Sequence, residues 1–169
     1  MKRPSGIKYV GGIFMIIMWK KLLWCLAIPL GVGGVSALLT SGNMQLFDEI
    51  NKPPLSPPAW LFPVVWTILY ALMGVALYLV VMARDTKSNL PAYISFGVQL
   101  FFNFFWSIIF FNARAFLFAF IWLVLLWVAI VVNVYFFYKI NKTAGKILIP
   151  YLVWVTFAGY LNFGIYLLN

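Results

Sequence analysis

Five long runs of the sequence contain no charged residue: Leu22–Leu39, Trp60–Ala83, Pro91–Phe111, Ala115–Tyr138 and Ile147–Leu168. Each is long enough to cross a hydrocarbon core of about 30 Å as a helix, which takes roughly 20 residues. Backbone amides inside lipid find no water, so an unbroken apolar run satisfies them only as a helix. With 65% of its 169 residues hydrophobic and 9% charged, the chain has too little polar surface to coat a water-soluble domain. The expected fold is therefore an all-α integral membrane protein, a five-transmembrane-helix bundle. Connections after the second, third and fourth runs are short, which makes successive helices antiparallel neighbours. Only Thr40–Ala59 is long, and it is expected to fold back over one end of the bundle. No internal repeat is apparent.

The first 21 residues read differently. The apolar run Tyr9–Trp19 is too short to span and ends in Lys20-Lys21 without a small-residue cleavage pattern. Residues 1–21 are expected to be a basic tail peripheral to the fold, and residues 22–169 a single membrane domain. Ten of the twelve basic residues fall in the tail, the second–third loop and the fourth–fifth loop, against Lys52 and Arg114 on the other side. The positive-inside rule then puts the N-terminus in the cytoplasm and the C-terminus and long first loop outside; the membrane is expected to be a bacterial cell membrane. The formal charge of +9 thus reflects topology, and no nucleic-acid partner is expected because the basic residues form no clustered face.

Ordinary catalytic machinery is missing. The chain has no histidine and one cysteine, Cys25, which excludes a disulfide framework and a Cys/His metal cluster. Its three acidic residues, Asp48, Glu49 and Asp85, all fall in loops, so a buried carboxylate relay is not expected.

What remains are aromatic rings and a few amides placed at helical spacing. The stretch Asn51–Gly74 opens with Pro53, Pro54, Pro57 and Pro58, which lock φ and lack amide donors. It predicts a stiff, extended loop leading into a membrane helix, with Pro63 in the tolerant first turn. Trp66 and Tyr70 are an i, i+4 pair with Gly74 one turn on, and Trp154 and Ala158 repeat the pattern with Asn162 below them. A ring beside a small residue leaves room for a planar guest, although ordinary aromatic core packing produces the same spacing. In the third run Gln99, Asn103, Trp106 and Phe110 share one face, which must turn into the bundle because an unpartnered amide is costly in hydrocarbon. That face serves either as a cavity wall or as a hydrogen-bonded helix contact. Asn133 needs a partner for the same reason. Trp19 and Trp60 are expected as interface anchors, Trp122 and Trp127 as lipid-facing or core residues, and Pro29 as a kink in the first helix. Ala27/Gly31 and Gly33/Ala37 are small pairs that permit close helix approach, within the bundle or across a dimer.

Three of these stretches together resemble the TspO/MBR family of tryptophan-rich sensory proteins. The residues that carry the resemblance are Lys52-Pro53-Pro54 through Ala59-Trp60, continuing Phe62-Pro63 to Trp66, Tyr70 and Met73-Gly74. They continue with Gln99, Asn103, Trp106-Ser107 and Phe110-Phe111, then Pro150-Tyr151-Leu152, Trp154, Phe157-Ala158 and Tyr160-Leu161-Asn162. The resemblance covers roughly residues 22 to 166. It implies a five-helix bundle, commonly dimeric, with a pocket under the first loop that binds porphyrins such as protoporphyrin IX. Trp66 and Trp154 fall where family members use tryptophans in light-dependent porphyrin breakdown, so they are catalytic candidates only in that photochemical sense. The expected ligand-binding set is Trp66, Tyr70, Gln99, Asn103, Trp106, Phe110, Trp154, Phe157 and Ala158. No metal and no resident cofactor is expected; the porphyrin is ligand or substrate. The expected partners are that ligand, the lipid bilayer and a second copy of the chain. A receptor or sensor role leads, and a transporter of porphyrins or other hydrophobic ligands is the alternative. No basic residue follows Tyr160 or Tyr166, so the cholesterol-recognition pattern of eukaryotic members is not carried over.

Overall fold

The computed structural model describes residues 18–83 and 89–169. Among them, five helical stretches are long and apolar enough to cross a membrane: Trp19–Asn43, Leu61–Met82, Leu90–Asn112, Phe116–Ile140 and Lys142–Leu168. The elements are α1 (Trp19–Thr40), a 3-10 turn (Ser41–Asn43), α2 (Leu46–Glu49), α3 (Leu61–Met82), α4 (Leu90–Ser107), α5 (Phe116–Ile140), α6 (Lys142–Ile147) and α7 (Ile149–Leu168). α4 widens at its end into a π-helical turn over Ile108–Asn112.

The helices run past the ends of the apolar runs where charged stems can reach water. α1 begins at Trp19, so Lys20 and Lys21 belong to its first turn, and α5 continues through Lys139. Lysine keeps its ammonium in water while its methylenes lie along the helix, and a cation suits the C-terminal end of α5. The rest of the tail, residues 1–17, and Arg84, Asp85 and Lys87 lie outside the described residues. Pro63, Pro91 and Pro150 all sit in first turns, where the missing amide costs no ladder bond. Before α7 the chain forms a short helix that the apolar pattern does not reveal. Asn141 caps α6 by accepting from the Thr143 amide at 2.9 Å and the Ala144 amide at 3.1 Å.

Two glycines set how closely α1 meets α3. A methyl on Gly74 would lie 2.8 Å from Leu26 Cα, so the two backbones touch there, and a methyl on Gly33 would collide with the Tyr70 ring. Gly31, by contrast, has open space around it. Several polar groups of the interior are paired across helices. Asn133 donates to Ser95 at 3.0 Å, and the Trp122 indole donates to the Phe102 carbonyl at 2.8 Å. The outward faces are apolar, with Trp24, Leu38, Ile94, Val128 and Val153 exposed, as lipid-facing surface must be. Trp19 and Trp60 lie exposed at span ends.

Candidate functional site

Where α1 ends, the chain does not pass straight into α3. It crosses the bundle through α2 and the proline loop, and beneath that loop lies a cavity of about 320 Å³. This falls at the small end of the range of roughly 300–1,000 Å³ found for small-molecule sites. The loop contributes Gln45, Phe47, Asp48 and Ala59; α1 contributes Gly33, Ser36, Ala37 and Thr40; α7 contributes Ala158, Leu161, Asn162 and Ile165. The π-helical turn brings two consecutive rings, Phe110 and Phe111, to the lining.

One wall is a continuous row of rings. Trp66 lies 5.7 Å from Tyr70 and 6.4 Å from Trp106, both inclined at about 30° (33° and 32°). Trp106 in turn stacks on Phe110 at 5.4 Å. Tyr70, Trp66, Trp106 and Phe110 therefore present a broad apolar surface contributed by two helices, at separations where aromatic attraction adds to area burial. The row is pinned from behind. The Trp106 indole donates to Asn162 Oδ1 at 3.1 Å, and Asn162 Nδ2 donates to the Phe116 carbonyl at 2.9 Å.

Five of the nine residues in the expected ligand-binding set thus line the cavity: Trp66, Tyr70, Trp106, Phe110 and Ala158. Gln99 and Asn103 do not. Their amides join a buried network below the floor, in which the Tyr70 hydroxyl donates to Asn103 Oδ1 and Asn103 Nδ2 donates to the Tyr151 hydroxyl at 2.8 Å. Tyr151 then donates to Gln99 Oε1 at 3.0 Å. Of the two readings of that face, helix contact describes these two amides and cavity wall describes Trp106 and Phe110. Trp154 and Phe157 also fall outside the lining. Trp154 packs edge-on against Phe62 at 6.0 Å and against Phe157 at 5.6 Å, and it is Phe62 that lines the cavity. The Trp154 Nε1–H is buried and has no hydrogen-bond partner among the described residues.

The expected ligand-binding set did not include Phe62 and Gly33, which line the cavity, or Tyr151, which joins the network below it. Phe62 is four residues before Trp66, on the same helical face, which was the available signal. Tyr151 offered a comparable signal, three residues before Trp154 and seven before Ala158 on the same side of the helix.

The loop that covers the cavity is also fastened to α7. The Asn51 amide donates to Asn169 Oδ1 and Asn169 Nδ2 donates to the Asn51 carbonyl, both at 3.0 Å. Tyr160 donates to the Pro54 carbonyl at 2.9 Å, and Pro53 packs so closely on Gly164 that a methyl there would stand 2.7 Å from its ring. At the rim Lys52 lies 3.8 Å from Asp48 and over the Phe47 ring at 4.7 Å, while Arg114 lies 4.0 Å from Glu49. No group of three or more potential metal ligands exists among the described residues.

Fold and cavity together define a class: a five-span membrane protein with an aromatic-lined cavity at one end. The TspO/MBR family profile matches residues 25–168. Tryptophan-rich protein TspO of Chlorobaculum tepidum is 39% identical over 150 residues, covering 88% of this chain and 95% of its own. Tryptophan-rich sensory protein of Cereibacter sphaeroides is 34% identical over 125 residues, 74% of this chain and 77% of its own. Human translocator protein is 32% identical over 141 residues, 82% of this chain and 83% of its own. The chain belongs to the TspO/MBR family.

Proposed function

We propose that this protein is a membrane receptor or sensor that holds a porphyrin-type macrocycle against the Tyr70–Trp66–Trp106–Phe110 wall. The observation that supports this reading is the row of rings itself, each inclined by about 30° to the next (33°, 32° and 29°). A flat apolar guest laid along it gains both area burial and ring contact. The unpartnered Trp154 N–H, behind Phe62, is a donor that a guest displacing Phe62 would reach. A guest that partitions into lipid reaches such a site without crossing water. The site offers recognition rather than acid–base chemistry, because Asp48 at the rim is the sole charged side chain among the lining residues.

The same contacts support a photochemical extension. Trp66 lies 6.2 Å from Tyr151 as well as beside Tyr70 and Trp106, so an electron taken from Trp66 by an excited macrocycle has neighbouring rings from which to be replaced. The reading also includes a homodimer, with the N-terminus cytoplasmic and the loop end outside a bacterial cell membrane.

Protoporphyrin IX titrated into the purified protein should quench tryptophan fluorescence saturably. Trp66→Ala should weaken binding about tenfold or more, a loss of about 1.4 kcal/mol, and Trp154→Phe by less, since it stands one layer back. Quenching that never saturates, or that survives Trp66→Ala unchanged, rejects the proposal. Illumination of the complex should yield a defined product whose rate falls in Trp66→Phe; bleaching indistinguishable from free porphyrin rejects the photochemical extension alone.

A further inference from the structure

The cavity is built to receive a guest with one polar edge, and the groups at its rim bear on the charge of that edge. Four polar side chains of the lining are engaged within the protein, while the Ser107 hydroxyl, which also lines the cavity, makes no hydrogen bond to a described residue. Ser36 donates to the Phe104 carbonyl at 3.1 Å, Thr40 to the Ser36 carbonyl at 2.9 Å, Tyr70 to Asn103, and Trp106 to Asn162. Asn162 is itself tied to the Phe116 carbonyl. Apart from Ser107, the lining side chains left for a guest's polar groups are Gln45 and Asp48 of the loop, of which Asp48 alone is charged.

That rim is not a receptor for an anion. Asp48 lines the cavity, and its side chain is 71% exposed. Lys52 is only 32% exposed, is held over the Phe47 ring and sits near Asp48, and Arg114 stands beside Glu49. Both cations described at this end of the bundle thus already face a carboxylate. A carboxylate brought to the rim meets Asp48 and must compete with it for Lys52, whereas an amide, ester or amine does not.

Building on the reading of the cavity as a macrocycle site, we propose that Asp48 is a specificity-determining residue that filters guests by charge. It favours flat hydrophobic rings whose polar edge is neutral or cationic over rings that present carboxylates. The pocket then takes an esterified or otherwise uncharged macrocycle in preference to the free diacid.

The test compares protoporphyrin IX with its dimethyl ester on the full chain in non-ionic detergent, read by saturable tryptophan quenching. Wild type should bind the ester more tightly. Asp48→Asn should raise diacid affinity relative to ester affinity about twofold to fivefold, the scale of an exposed charge pair. Lys52→Gln should weaken the diacid further. Raising the salt concentration should narrow the wild-type difference, because the groups involved are exposed. A diacid-to-ester ratio that stays the same in Asp48→Asn, or an equal loss for both ligands, overturns the filter while leaving the site itself standing. Failure of both ligands to bind wild type overturns the site reading and the filter together.

Discussion

Replacing Asn103 with leucine removes the centre of the network below the cavity floor while keeping the side chain about the same size. In the wild type Tyr70, Asn103 and Tyr151 are 8%, 2% and 1% exposed, so water does not take over for a lost partner at the two deeper positions. Two hydrogen bonds disappear, from Tyr70 and to Tyr151. Tyr151 keeps its bond to Gln99, so its donor stays satisfied, and the Tyr70 hydroxyl is the group left without an acceptor. Hydrogen bonds between membrane helices average about 0.6 kcal/mol each. An orphaned buried donor costs about 1–3 kcal/mol. Tyr70 borders the cavity, where a water can reach it, which places the loss for Asn103→Leu near 2 kcal/mol. Tyr70→Phe alone deletes one of those bonds and should cost about 1 kcal/mol. The double variant should lose less than the two singles combined, by about 0.5–1.5 kcal/mol, because the first change already breaks what the second removes. Denaturing-detergent titrations in mixed micelles, followed by far-ultraviolet circular dichroism, measure all four species. Singles that add to within about 0.3 kcal/mol, or an Asn103→Leu protein as stable as wild type, would show that the network does not hold α3, α4 and α7 together.

Gly74→Ala should destabilise the bundle by about 1–3 kcal/mol, since its methyl meets the Leu26 backbone rather than a movable side-chain end; an unchanged detergent midpoint contradicts the packing described for α1 and α3. Gly164→Ala should push Pro53 away and loosen the loop, seen as faster amide exchange or proteolysis between Asn51 and Trp60, and unaltered protection would mean that the loop holds by other contacts. Asn141→Ala removes the acceptor for two α6 amides and should cost about 0.5–2 kcal/mol, with faster exchange confined to Thr143 and Ala144; exchange that rises throughout α7 instead would show that α6 is not a separate unit.

The spans were legible because charge is absent from all five runs, and length alone then decides what each can be. Their ends were legible only to within a turn, since lysine stems extend α1 and α5 past the point where the apolar run stops. Helical spacing identified which residues share a face: Trp66 with Tyr70, and Trp106 with Phe110. It gives an angle around the axis and not a depth, so it did not reveal that Phe62 stands between Trp154 and the cavity. Nor does it distinguish a residue in the wall from one a turn deeper, which is why Gln99 and Asn103 were grouped with Trp106. The π-helical turn at Ile108–Asn112 breaks the spacing itself, and no residue in it announces the break. α6 was hidden because it depends on a single capping side chain, Asn141, rather than on a pattern.

The fastening of the proline loop to α7 has a kinetic consequence. The loop is covalently continuous with α1 and α3, and the Asn51–Asn169 pair, the Pro53–Gly164 contact and the Tyr160–Pro54 bond tie it to a third helix that also walls the cavity. Uncovering the pocket by way of the loop means breaking several small attachments at once, each of them weak alone. Dwell time and equilibrium affinity are then separately adjustable: substitutions along that seam alter how long a guest stays without touching any ring it rests on.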